Sequence, residues 1–149
     1  MHWKLIVVGG LAFYVVMFLV SFITGPLIHE GILKVPYMEN EEFWQPALNQ
    51  DPPDMAALMP RWIATGLITT FVLAGIYGWI RGGFSGAPWQ KGVKYGVVLS
   101  VVGSCMMAGW SGVFNLPAEI WTWWAIEQFA YYLPGGAVLG WLGQKLAPE

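Results

Sequence analysis

Four stretches of this chain are long and apolar enough to cross a bilayer as helices, at approximately residues 5–24, 60–80, 92–112 and 120–142. A hydrocarbon core about 30 Å thick takes about 20 residues at roughly 1.5 Å rise each. The connections 81–91 and 113–119 are short, whereas 25–59 is long. The expectation is an all-α integral membrane protein. It is a single membrane domain, 1–149, of four transmembrane helices in a compact antiparallel bundle, with one long, partly helical outer loop at 25–59. Composition agrees: 56% of residues are hydrophobic and 11% charged, against roughly a quarter charged in soluble domains. Only Lys4 precedes the first apolar run, which is too long for a signal peptide and lacks a small-x-small cleavage site at Gly25-Pro26. It is expected to be retained as a helix.

Orientation follows from the basic residues, whose translocation is disfavoured. Lys4, Arg81, Lys91, Lys94 and Lys145 fall on one side, with Lys34 and Arg61 on the other. Both termini are therefore expected to be cytoplasmic, in a bacterial inner membrane. The long loop would face outward with Glu30, Glu39, Glu41, Glu42, Asp51 and Asp54. Trp3, Trp79, Trp89 and Trp141 cluster at the inner boundary, and Trp62, Trp110, Trp121, Trp123 and Trp124 at the outer one. Amphipathic rings take those positions at headgroup level.

The third segment has one side of small residues. Gly92, Gly96, Ser100, Ser104, Ala108 and Gly112 recur every four positions, which places them on one helix face. In lipid, helices associate through close van der Waals contact that small residues permit. The second segment offers Gly66, Thr70, Ala74 and Gly78, and the fourth adds Gly136 and Gly140. The spacing predicts that the second and third segments, joined by a short link, pack stripe against stripe. A partner chain is the other possible occupant of these surfaces.

Most chemistry is excluded. Bis-histidine haem needs His within the spans, but His2 and His29 lie near or beyond their ends. No Lys lies in the membrane interior to carry retinal, Lys94 being at the inner end of the third segment, and His29-Glu30 lacks the second His of a zincin helix. No phosphate loop or nucleophile elbow occurs. The lone Cys105 permits neither an internal disulfide nor a thiolate metal site, and a net charge of −2 gives no nucleic-acid footprint. No enzyme activity, cofactor or metal is expected.

Glu127, inside the fourth segment, is the costly residue. A carboxylate at a span centre costs about 2.5–3.5 kcal/mol on insertion scales, so it must face protein, water or a proton. It lies roughly 10 Å below Ile120 along a helix. Arg61 at the outer start of the second segment and His29, if the chain folds back after Gly25-Pro26, are its candidate partners, with Gln128 as a polar neighbour. The outer loop is too apolar for a flexible linker, with Leu27, Ile28, Ile32, Leu33, Phe43 and Trp44, and Pro52, Pro53 and Pro60 limit its helices to short pieces. Its acidic residues lack the spacing of a Ca-loop.

The closing stretch FNLPAEIWTWWAIEQFAYYLPGGAVLGWLGQKL, with Asn115, Tyr131, Tyr132, Gly136, Gly140 and Trp141, resembles small bacterial four-helix membrane proteins of the DUF1761 type. The long acidic first loop departs from that pattern. The resemblance implies the four-helix fold and carries no activity with it. Two function classes remain. One is a non-catalytic subunit that packs in the lipid bilayer against other membrane protein subunits, or against itself, in a larger assembly such as a respiratory or photosynthetic one. The other is a small oligomeric carrier or channel that passes protons, cations or a small metabolite by way of Glu127.

Overall fold

The structure is a computed structural model that describes residues 2–148, most of them helical and none in a strand. Its helices are α1 (Leu5–Ile32), α2 (Lys34–Met38), α3 (Met55–Ile80), α4 (Pro88–Trp110) and α5 (Ala118–Leu146). Single 3-10 turns lie at Glu41–Phe43 and Arg81–Gly83. The helix Leu5–Ile32, α3 extended to Gly83, and α4 are each long and apolar enough to cross a membrane. At 29 residues α5 is also long, but its Trp, Tyr, Gly and Glu127-Gln128 content leaves it less apolar than those three.

Three expected boundaries move. The first helix does not break at Gly25-Pro26. It is α-helical over Gly10–Thr24 and continues over Gly25–Ile32 with the wider i→i+5 bonding of a π-helix, as in the 2.7 Å bond from the Leu33 N–H to the Ile28 carbonyl. The π turn accommodates Pro26, whose missing N–H would interrupt an α ladder. α3 begins at Met55 rather than at Pro60, because Asp54 caps it, accepting from the Ala57 N–H at 3.1 Å. α4 ends at Trp110, so Gly112 lies in the following turn and not on the helix. α5 runs through Pro134-Gly135-Gly136 without a break.

The helices alternate in direction, and small residues set their spacing, with different pairings from those expected. A Cβ placed on Gly92 would lie 1.9 Å from the Gly136 carbonyl oxygen, and one on Gly96 2.2 Å from that of Tyr132. The lower half of the α4 stripe therefore meets α5, backbone to backbone. The α3 stripe instead meets α1. A Cβ on Gly66 would strike the Tyr14 ring at 2.5 Å, and Gly10 of α1 sits against Thr70 and Phe71. The two stripes do not face each other because Tyr77 and Tyr95, both buried and 5.3 Å apart, fill the space between α3 and α4. The Tyr95 hydroxyl donates to the Leu73 carbonyl at 2.8 Å.

Two apolar clusters result. Leu5, Phe13, Ala74, Tyr77, Tyr95 and Leu139 fill the half near the chain termini. Ile28, Leu33 and Ile120, flanked by Tyr37, Trp44, Trp123 and Trp124, fill the half under the long loop. At the termini end, the buried Arg81 guanidinium donates to the carbonyls of Gly143, at 2.8 Å, and Ala147. It thus satisfies terminal acceptors of α5 with a charge that complements the helix dipole.

Candidate functional site

Glu127 sits on the face of α5 that also carries Ile120, Trp124 and Tyr131, since residues three, four and seven apart share a helix face. That face meets α1. Glu127 is only 6% exposed. Its carboxylate accepts from the Tyr131 hydroxyl at 2.6 Å and lies 3.1–3.2 Å from His29 Nε2. Thr24 Oγ1 reaches the Tyr131 hydroxyl at 3.2 Å.

The π turn is what brings Thr24 and His29 to one site. In an α-helix, a residue five positions on lies about 140° round the axis, at 3.6 residues per turn. The wider i→i+5 turn returns it toward the same side, so Thr24 and His29 both meet α5. His29 thus reaches Glu127 along a continuous helix and not through a chain reversal.

On its other nitrogen, His29 Nδ1 lies 2.7 Å from the hydroxyl of Tyr37, and the Trp124 indole donates to that hydroxyl at 2.8 Å. Trp44 Nε1 donates to the Tyr37 carbonyl at 2.9 Å and its ring meets Tyr37 and Trp124 edge-on. The His29 and Tyr37 rings stack at 5.8 Å. Burial pushes the Tyr37 phenol up to about 12, with the Glu127 charge adding and the Trp124 hydrogen bond opposing. Tyr37 therefore keeps its hydroxyl hydrogen at physiological pH and can donate.

The directions of these bonds follow from the chemistry at the ends. An indole N–H only donates, and an ionised carboxylate only accepts. Between them, Tyr37 accepts from Trp124 and donates to His29 Nδ1, so a neutral imidazole carries its hydrogen on Nε2 and donates it to Glu127. Tyr131 gives its hydrogen to Glu127 and so takes one from Thr24. One ionised Glu127 with one neutral, Nε2-protonated His29 uses every hydrogen in the chain of bonds. This tautomer is assigned from hydrogen-bond accounting.

The other sequence-predicted residues lie elsewhere. Arg61 is exposed on α3, which at this end packs on α1 and not on α5, and the hydrogen-bonding partner of Glu127 is His29. Gln128 is on the side of α5 that meets α4, where its Nε2 points to Met107 Sδ at 3.9 Å and its backbone carbonyl accepts from Ser100 Oγ at 3.3 Å. Gly78 borders Leu5, and Gly140 closes on Gly92 and the Pro88 carbonyl. Ser104 and Ala108 continue the α4 stripe toward its C-terminal end. They line a groove of about 610 Å³ between α4 and the start of α5, opposite Ala118, Thr122 and Ala125. The Ser104 hydroxyl is buried there without a partner.

Sequence reasoning missed Thr24, Tyr37, Trp124 and Tyr131 as members of the site. Trp124 and Tyr131, three before and four after Glu127, were detectable by helical spacing. Thr24 was not, because its alignment with His29 requires the π turn. Among the described residues no cluster of three or more His, Cys, Asp or Glu side chains could hold a metal. Comparison with protein-family models, curated proteins and solved structures finds no match to this chain.

Proposed function

We propose that the chain is a four-span membrane protein whose role is to pack against other membrane helices as a non-catalytic subunit of a larger assembly. The observation that carries this reading is where the free surface lies. Glu127, His29, Tyr37, Trp124 and Tyr131 satisfy one another within the chain. Gly92, Gly96, Gly136 and Gly140 are closed by backbone contact inside the bundle, and Gly66 by the Tyr14 ring. What remains open for recognition is outward and apolar: Leu19, Phe22 and Ile23 on α1, Ile68 and Val72 on α3, and Val102 and Met106 on α4 are all exposed. The groove lined by Ser104 and Ala108 adds a place where a further helix can approach closely.

In this reading α5 is the fourth span. Its 29 residues reach about 43 Å at 1.5 Å each, longer than a hydrocarbon core of about 30 Å. Its modest apolarity suits a helix flanked by α1 and α4 rather than by lipid alone. The basic asymmetry puts both termini in the cytoplasm and residues 33–54 outside. Single-Cys labelling in a Cys105→Ser background tests this arrangement. Asn115→Cys should react only from outside and Pro148→Cys only from the cytoplasm, since these positions lie on either side of α5; reaction of both from one side removes the fourth span.

The assembly role is tested by photo-crosslinking in native membranes from positions 19, 68 and 106. Crosslinks to another polypeptide are expected, and lipid adducts alone reject the role. A second reading, a small carrier working through Glu127, draws on the His29–Glu127 pair, since the His29 side chain is 35% exposed. Neither the α4–α5 groove nor the cavity of about 260 Å³ beside Leu5, Ala74 and Gly78 reaches Glu127, so the packing role is preferred.

A further inference from the structure

We propose that the Trp124–Tyr37–His29–Glu127 chain is a one-proton binding site entered through His29, and that a bound proton loosens the outer segment, residues 33–44, from α5. His29 is the way in because its side chain is 35% exposed, whereas that of Glu127 is 8% exposed. With no proton added, Nδ1 is the only unprotonated nitrogen of the imidazole, and the Tyr37 hydrogen points at it from 2.7 Å. An arriving proton takes this position. It either stays there, making an imidazolium beside the Glu127 carboxylate, or is followed by movement of the Nε2 hydrogen onto Glu127, whose O–H then donates back to Nε2. In both cases Nδ1 has become a donor.

The consequence falls on Tyr37. Its oxygen already accepts from Trp124 at 2.8 Å, and it must now accept from Nδ1–H as well, with its own hydrogen turned away from the only acceptor it had. Glu127 keeps its contacts with His29 and Tyr131 in either case, so α1 and α5 stay joined. The cost is localised where α2 is tethered, because both side-chain hydrogen bonds from Tyr37 to the bundle pass through that hydroxyl. The titratable groups facing His29 are Glu127 and Tyr131 on α5 and Tyr37 on α2. The hydrogen bonds and ring contacts of these four add Thr24, Trp44 and Trp124 but no Lys, Arg, Asp or further Glu. A proton from bulk water takes the site from one net negative charge to none, with no other reactant.

Hydrogen exchange of the full chain in lipid nanodiscs, corrected for intrinsic rates, tests the proposal. Between about pH 7.5 and about pH 5, protection of the amides of residues 33–44 should fall about three- to tenfold, the worth of one hydrogen bond. In His29→Gln the fall should vanish, since an amide binds no proton in this range. In Tyr37→Phe protection should be low and independent of pH. Unchanged wild-type protection, or an equal fall in His29→Gln caused by the loop carboxylates, overturns the proposal. Should His29→Gln not fold, a pH-dependent fall retained in Tyr37→Phe overturns it equally.

Discussion

Substituting Gly92 by Ala places a methyl group where α4 and α5 are in backbone contact. The new carbon would lie 1.9 Å from the Gly136 carbonyl oxygen, 2.8 Å from its carbon and 2.9 Å from Gly140 Cα. None of these atoms can rotate aside, so the helices must separate. Moving from 1.9 Å to the 3.4 Å of an ordinary contact is a shift of about 1.5 Å at this crossing. Neighbouring contacts at Gly96–Tyr132 and Gly140–Pro88 then lose part of their dispersion energy, which falls by a quarter to a half for gaps of about 0.5–1 Å. Overpacking of this kind costs about 1–3 kcal/mol. Gly75→Ala is the matched control, because its Cβ would meet only Ile6 side-chain atoms at 3.7 and 3.8 Å. Relief of glycine's backbone entropy alone should leave that variant level or stabilised by about 0.5–1 kcal/mol. Reversible unfolding in bicelles, measured by steric trapping, should therefore separate the two variants by about 1–4 kcal/mol, the combined effect of overpacking and backbone entropy. Equal stability would refute the assignment of the α4 stripe to α5.

Arg81→Met should lower stability by about 1.5–3 kcal/mol, the worth of hydrogen bonds to a charged group, and should increase hydrogen exchange over residues 143–147; unchanged exchange there would dismiss Arg81 as the clasp of α5. Tyr131→Phe removes the 2.6 Å donor to Glu127 and should cost about 1.5–3 kcal/mol in the same unfolding assay, with a loss under about half a kcal/mol counting against the bond accounting. Phe13→Ala empties a fully buried site against Gly135 and Tyr132 and should cost about 3–5 kcal/mol; a small loss would mean that the termini-end core can collapse around it.

Apolar length and small-residue spacing were legible in the chain because both are local. The stripe from Gly92 to Ala108 announced a backbone contact, and Gly92 and Gly96 make one. Its partner was not legible. α3 offered four small residues and α5 only Gly136 and Gly140, and the choice turned on Tyr95, the neighbour of Gly96 in sequence, whose ring holds α3 away. Glu127 was legible as a residue that needs a partner, because the cost of an intramembrane carboxylate does not depend on the fold. Between its two candidate partners, Arg61 fails because α3 meets α1 at that end, and His29 succeeds through a helix that sequence rules end at Pro26. Proline argued for a break, whereas the π turn tolerates the missing N–H and in doing so aligns Thr24 with His29. Trp124 read as a headgroup anchor by position, but its indole N–H is a donor to Tyr37.

Gentle extraction of the protein from its native membrane, followed by native electrophoresis and mass spectrometry, tests the assembly role most directly. The chain should migrate in a complex far larger than its own 16.5 kDa and carry other membrane polypeptides with it. Recovery as a monomer or homo-oligomer, together with proton or cation flux in liposomes that Glu127→Gln abolishes, would contradict the assembly role and establish the carrier instead.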